Sequence, residues 1–64
     1  MKIKTKRNDE FPEYWYNEYV GETFEVLETE SDSIPPRYIV DCKHLNRIFK
    51  KGSVEFCCSE IVET

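Results

Sequence analysis

The chain has 64 residues and a net charge of −4, with 39% hydrophobic, 14% aromatic and 34% charged residues. A chain this short makes a single domain that buries only about 60% of its unfolded surface, which leaves little room for the roughly 300–1,000 Å³ pocket an enzyme needs. The apolar content excludes a disordered chain, and the acidic balance disfavours generic DNA binding, which relies on Lys and Arg at the phosphates.

The first strand is expected in "KIKTKR", where Ile3 and Thr5 alternate with Lys2, Lys4 and Lys6. Lysines along it would also protect an exposed sheet edge. In "NDEFPEYWYNEY", Pro12 suits the first position of a short helix and Asn8 or Asp9 a cap, so a loop with at most one helical turn is expected. Gly21 reads as a turn residue at positive φ just before a strand. In "GETFEVLETE", Phe24 and Val26 share one face and Thr23, Glu25 and Leu27 the other. Pro35 and Pro36 then break the pattern. "RYIVDC" is a β-branched and aromatic strand with Tyr38 and Val40 opposed to Ile39 and Asp41, and "KHLN" reads as a turn. "RIFKKGSVEFCC" fits either one strand bent at Gly52 or two short strands joined by "KKGS", with Val54, Phe56 and Cys58 on one face. A tight turn at Ser59–Glu60 and a short strand at Ile61–Val62 end the chain. Five short strands without a long helix predict a mainly β fold, a small closed barrel or a strongly bent antiparallel sheet.

The opening "MKIKTKRNDE" lacks the apolar core of a signal peptide, and no run approaches the roughly 18 apolar residues of a membrane span. Cytoplasmic location and reduced thiols at Cys42, Cys57 and Cys58 are the expectation. Cys42, His44, Cys57 and Cys58 have a composition zinc accepts, but the spacing disfavours a site. Adjacent cysteines on a strand point to opposite faces and could share a metal only from a turn. Cys58 is expected as a small core residue beside Phe56, Cys57 as a partly exposed thiol, and His44 as an exposed turn residue. No metal or cofactor is expected. No motif for hydrolysis, phosphoryl transfer or cofactor binding appears, so the chain reads as a non-enzyme.

Charge is segregated along the chain. Residues 8–36 hold nine acidic side chains and no Lys or Arg, whereas residues 37–51 hold five basic ones against Asp41 alone. Either the two sets pair with each other as solvated faces, or the acidic one meets a basic partner. Tyr14, Trp15, Tyr16 and Tyr19 are more aromatics than so thin a core needs. Trp15 and one tyrosine would cover the open end of the fold, or some of the four would form a platform rimmed by Glu13, Glu18 and Glu22. Lys43, His44, Arg47, Lys50 and Lys51 form the alternative, nucleic-acid-binding face, with Tyr38 or Phe49 stacking on bases.

"WYNEYVGETFEV" (Trp15–Val26) resembles a pattern of very small proteins encoded by phages and prophages of Gram-positive bacteria. There Trp-Tyr, three variable residues, Ile or Val, and then Gly-Glu-x-Phe-x-Val lead into the main strand. "VEFCCSEIVE" is similar to the end of an SH3-like barrel, where a strand, a tight turn and a short strand finish the fold. Together the two stretches cover about a third of the chain. The resemblance implies one SH3-like five-stranded barrel over residues 1–64, located in the cytoplasm of a bacterial host. No ALYDY motif and no Gly-rich basic first turn are present, so proline-peptide and ribosomal roles do not carry over. Size, segregated charge and the missing catalytic motifs, together with this pattern, give the expectation of stoichiometric protein–protein binding through Tyr14, Trp15, Tyr16, Tyr19, Glu18, Glu22 and Glu25; the resemblance alone implies that the partner is a host protein, inhibited by the binding. The alternative is a nucleic-acid-binding barrel using Lys43, Arg47, Lys50 and Lys51. A third reading is an assembly protein, and the chain is expected as a monomer or small homo-oligomer pairing strand edges.

Overall fold

A computed structural model describes residues 1–45 and 47–64. Five antiparallel strands form one sheet: β1 (Lys2–Thr5), β2 (Thr23–Glu30), β3 (Arg37–Asp41), β4 (Lys51–Glu55) and β5 (Ser59–Glu63). A 3-10 helix covers Trp15–Tyr19, and a 3-10 turn, Phe56–Cys58, joins β4 to β5. No helix among the described residues is long and apolar enough to cross a membrane.

The strand order is β4-β3-β2-β1-β5, so the two edge strands are consecutive in the chain. In a flat sheet they would lie four strand spacings apart, about 19 Å. The link from Glu55 to Ser59 is a 3-10 turn, which rises only about 2 Å per residue and so reaches about 8 Å. The sheet must therefore bend strongly. The turn is anchored on both sides, with the Phe56 amide donating to the Pro36 carbonyl at 3.0 Å and the Lys6 amide to the Cys58 carbonyl at 2.8 Å. The mainly β, strongly bent antiparallel architecture expected from the strand pattern is the one observed.

Alternation places the core. Ile3 and Thr5 from β1, Phe24 from β2, Tyr38 and Val40 from β3 and Val54 from β4 are buried on the concave side. Removing a side chain such as Phe24 from water contributes about 1.5–3 kcal/mol. Two bulges interrupt the ladders. The β2–β3 register slips between Val26 and Glu28, leaving Leu27 extra, and the β1–β5 register slips opposite Lys2 and Ile3, leaving Val62 extra. Both extra side chains are exposed. Bulges increase local twist, which suits a sheet curling on itself.

Several local expectations are corrected. Pro12 lies in a turn ahead of the helix, which starts at Trp15. The tight turn lies at Phe56–Cys58 and not at Ser59–Glu60, and the last strand spans Ser59–Glu63 and not just Ile61–Val62. "RIFKKGSVEFCC" is neither a bent strand nor two strands, because β4 begins only at Lys51. The expected turn in "KHLN" is present at Lys43 and His44, while Asn46 lies outside the described residues. The Ile34–Pro35 peptide bond is cis.

Both glycines are dictated by geometry. Gly21 has φ 89°, the left-handed region that a side chain disfavours. Its amide donates to the Thr5 carbonyl at 2.9 Å, tying the turn to β1. Gly52 sits in β4 under the Trp15 indole, where a Cβ would come within 2.5 Å of Trp15 Cζ2 and 3.2 Å of Cys42 Sγ. Gly52→Ala is therefore expected to destabilise the fold by about 1–3 kcal/mol. Urea unfolding followed by circular dichroism checks this, and an unchanged midpoint would mean that Trp15 does not press on β4.

Candidate functional site

The 3-10 helix is held against the sheet by two asparagines. The Asn8 amide donates to Asn17 Oδ1 at 2.8 Å, and Asn17 Nδ2 donates back to the Asn8 and Phe11 carbonyls at 3.2 and 2.9 Å. Asn8 Oδ1 also accepts from the Glu10 and Phe11 amides, which folds residues 8–11 into a turn. Asn8 Nδ2 donates to the Tyr16 hydroxyl at 2.8 Å. With its phenol oxygen satisfied, Tyr16 enters the core at 1% exposure. From the far end of the helix, the Tyr19 carbonyl accepts from Thr5 Oγ1 at 2.6 Å.

Trp15 anchors the helix to the opposite edge of the sheet. Its indole N–H donates to the Ser53 carbonyl at 3.0 Å. Its ring packs edge-on against Phe24 and Phe49, with centroids 5.6 and 5.5 Å away. Half-buried Tyr14 and Tyr19 also pack on the core. Trp15 thus covers the end of the fold with more than one tyrosine.

A cleft of about 310 Å³ opens between this helix and β3–β4, lined by Tyr14, Trp15, Tyr16, Pro35, Arg37, Ser53 and Glu55. That volume lies at the lower bound for a small-molecule site. Three of the aromatics singled out from the sequence meet here, whereas Pro35, Arg37, Ser53 and Glu55 were not foreseen. Only the pairing register reveals them, because Arg37 lies between Glu30 on β2 and Glu55 on β4. Tyr19 is not at the cleft. Arg47 covers it instead, with the guanidinium carbon 5.8 Å from the Tyr19 ring centroid and 5.5 Å from that of Phe49.

Among the described residues, the acidic and basic segments meet at two ion pairs. Arg37 pairs with Glu30 at 2.6 Å, and Arg47 with Glu18 at 3.0 Å. The Arg37 hydrogen bond lowers the Glu30 pKa below the usual carboxylate value. Glu22 and Glu25 are exposed and line no part of the cleft, and Glu25 stands opposite Lys2 in the β1–β2 register. Lys43, Arg47, Lys50 and Lys51 are exposed, as is His44. Tyr38 cannot stack on bases, because it is buried and stacked on Phe56 at a centroid distance of 4.3 Å.

The thiols divide as their positions in the sequence suggested: Cys58 is buried and Cys57 exposed. Cys42 is also buried, and burial together with nearby Asp41 pushes its thiol up to about 11. Among the described residues, the group whose ligand atoms converge is Glu55, Cys57 and Cys58, all within 4.8 Å of one another. Cys42 and His44, considered as ligands from sequence, are not part of it. Neither protein-family models, nor curated proteins, nor solved structures give any match to this chain.

Burial pushes the Tyr16 phenol above the usual tyrosine range; the bond from Asn8 opposes this, while Cys58 and Glu55 add to it. A raised phenol stabilises the fold fully below the unfolded pKa of about 10, and that contribution is lost as pH rises towards the folded value. Tyr16→Phe orphans the buried Asn8 amide group and is expected to cost about 1–3 kcal/mol at neutral pH. The variant should also lose stability less steeply than wild type above about pH 10. Chemical unfolding across a pH series tests both effects, and parallel curves for the two proteins would contradict the assignment.

Proposed function

We propose that this chain is a small non-enzymatic binding module that associates one-to-one with a protein partner through the aromatic cleft. The observation that carries this reading is the cleft itself: Tyr14 and Trp15, only half buried, beside Pro35 and the polar side chains of Arg37 and Glu55. Tyrosine, tryptophan and arginine are the residue types in which interface binding energy concentrates. Ile34, next to Pro35, is 100% exposed and extends the apolar rim. The unpaired acidic side chains of residues 9–32 supply a field that speeds encounter with a basic partner. The resemblance of Trp15–Val26 to phage and prophage proteins supports a partner from a Gram-positive host cell, with inhibition of that partner as the outcome.

Capture from a Gram-positive lysate with crosslinking, followed by calorimetric titration of the purified partner, tests the proposal. A stoichiometry near one is expected, with Tyr14→Ala and Ile34→Asp each weakening binding about tenfold, equivalent to about 1.4 kcal/mol. Charge reversal of Glu18, Glu22 and Glu25 should slow association. Failure to enrich any protein after crosslinking would count against the reading, and so would indifference to the cleft variants.

A second reading has the exposed Lys43, Arg47, Lys50 and Lys51 in its favour: they form a nucleic-acid-binding face. Arg47 is already engaged by Glu18 and the Tyr19 and Phe49 rings, which weakens it. Anisotropy of labelled single-stranded DNA and RNA at about 50 mM salt decides the matter, and a flat titration would end it.

A further inference from the structure

The 3-10 turn between β4 and β5 changes what the two adjacent cysteines can do. On a strand, Cys57 and Cys58 would face opposite sides of the sheet. In the turn their sulfurs lie 3.8 Å apart, and Cys57 Sγ is 3.9 Å from Glu55 Oε2. The Ser59 hydroxyl donates to the Phe56 carbonyl at 2.9 Å, fastening the turn from within.

The two distances from Cys57 Sγ are close to those of a tetrahedral metal site, and all three ligand atoms lie within 4.8 Å of one another. With metal–sulfur bonds of about 2.3 Å, two thiolates of one tetrahedron stand about 3.8 Å apart. A thiolate and a carboxylate oxygen bonded at about 2.1 Å stand about 3.6 Å apart. We propose that Glu55, Cys57 and Cys58 form a binding site for a thiophilic divalent cation of the zinc class. Two sulfurs and one oxygen supply three ligands, and the fourth position is left to water.

The surroundings suit such a site. Cys58 is 6% exposed and fixed by the Lys6 amide on its carbonyl, so one ligand is preorganised. Cys57 is exposed and leaves an entry path for the ion. Glu55 takes part in no ion pair among the described residues, so its charge is available to draw a cation in. Binding displaces the thiol protons, so affinity rises with pH. The site is independent of the partner-binding reading, although Glu55 also borders the cleft.

The test is titration of the fully reduced chain with cadmium chloride, read by sulfur-to-cadmium charge-transfer absorbance, with zinc chloride as the competitor. One cadmium per chain is expected, displaced by zinc. Cys57→Ser should weaken binding at least about a hundredfold, and Glu55→Gln about tenfold. Cys42→Ala should leave the signal intact. Because Cys57 is exposed, its serine variant keeps the core, and circular dichroism verifies its fold. Absence of charge-transfer absorbance in the wild type, or a full signal in Cys57→Ser, overturns the site. Indifference to Glu55→Gln overturns the carboxylate as a ligand.

Discussion

Three residues link the two edges of the sheet, and most of the molecule follows from that brevity. Strands at opposite ends of a five-stranded order can be consecutive in the chain only if the sheet curls back on itself. Curling creates the concave side that Ile3, Phe24, Val40 and Val54 fill. It also brings β4 and the chain that precedes it within reach of the helix between β1 and β2, so that Arg47 meets Glu18 and Trp15 reaches Ser53 on β4. The compressed link is itself a 3-10 turn, and so the sulfurs of its two cysteines come within 3.8 Å of each other, although one side chain is buried and the other exposed.

A curled sheet of short strands still has an open end, and the aromatic helix closes it. That closure depends on polar side chains as much as on rings. Asn8 and Asn17 exchange hydrogen bonds with each other's neighbourhood, and Asn8 satisfies the Tyr16 hydroxyl. A buried phenol without that partner would cost about 1–3 kcal/mol, of the same order as what burying its ring contributes. Charge contributes less to the fold. The Glu18–Arg47 and Glu30–Arg37 pairs are partly exposed, and pairs of that kind contribute little to stability. Most of the acidic side chains of residues 9–32 remain solvated, so the segregation seen in the sequence persists as a surface field.

Period-two alternation made β1, β2 and β3 legible, because each buries one face and wets the other. Gly21 was legible for a different reason: a lone glycine directly before an alternating run marks the turn that leads into the strand. The turn at Phe56–Cys58 was hidden, since Val54, Phe56 and Cys58 alternate as a strand would. The demand that broke the strand there is tertiary, the need to join distant edges, and no local residue announces it. Tyr16 was hard to place because its partner, Asn8, lies eight residues away and the bond depends on the loop between them. Glu55 and Arg37 escaped notice as site residues because each looks like an ordinary charge at a strand end until register sets them side by side.

Trp15 is the only tryptophan in the chain. It holds the helix to β4 through Ser53, presses on Gly52, and forms one wall of the cleft. Indole fluorescence, excited apart from the four tyrosines, therefore comes from a single place. Occupation of the cleft and loosening of the helix from the sheet both change the polarity around that one indole, in opposite directions. The protein carries its own optical probe, placed where the packing of the helix and the wall of the cleft share a residue.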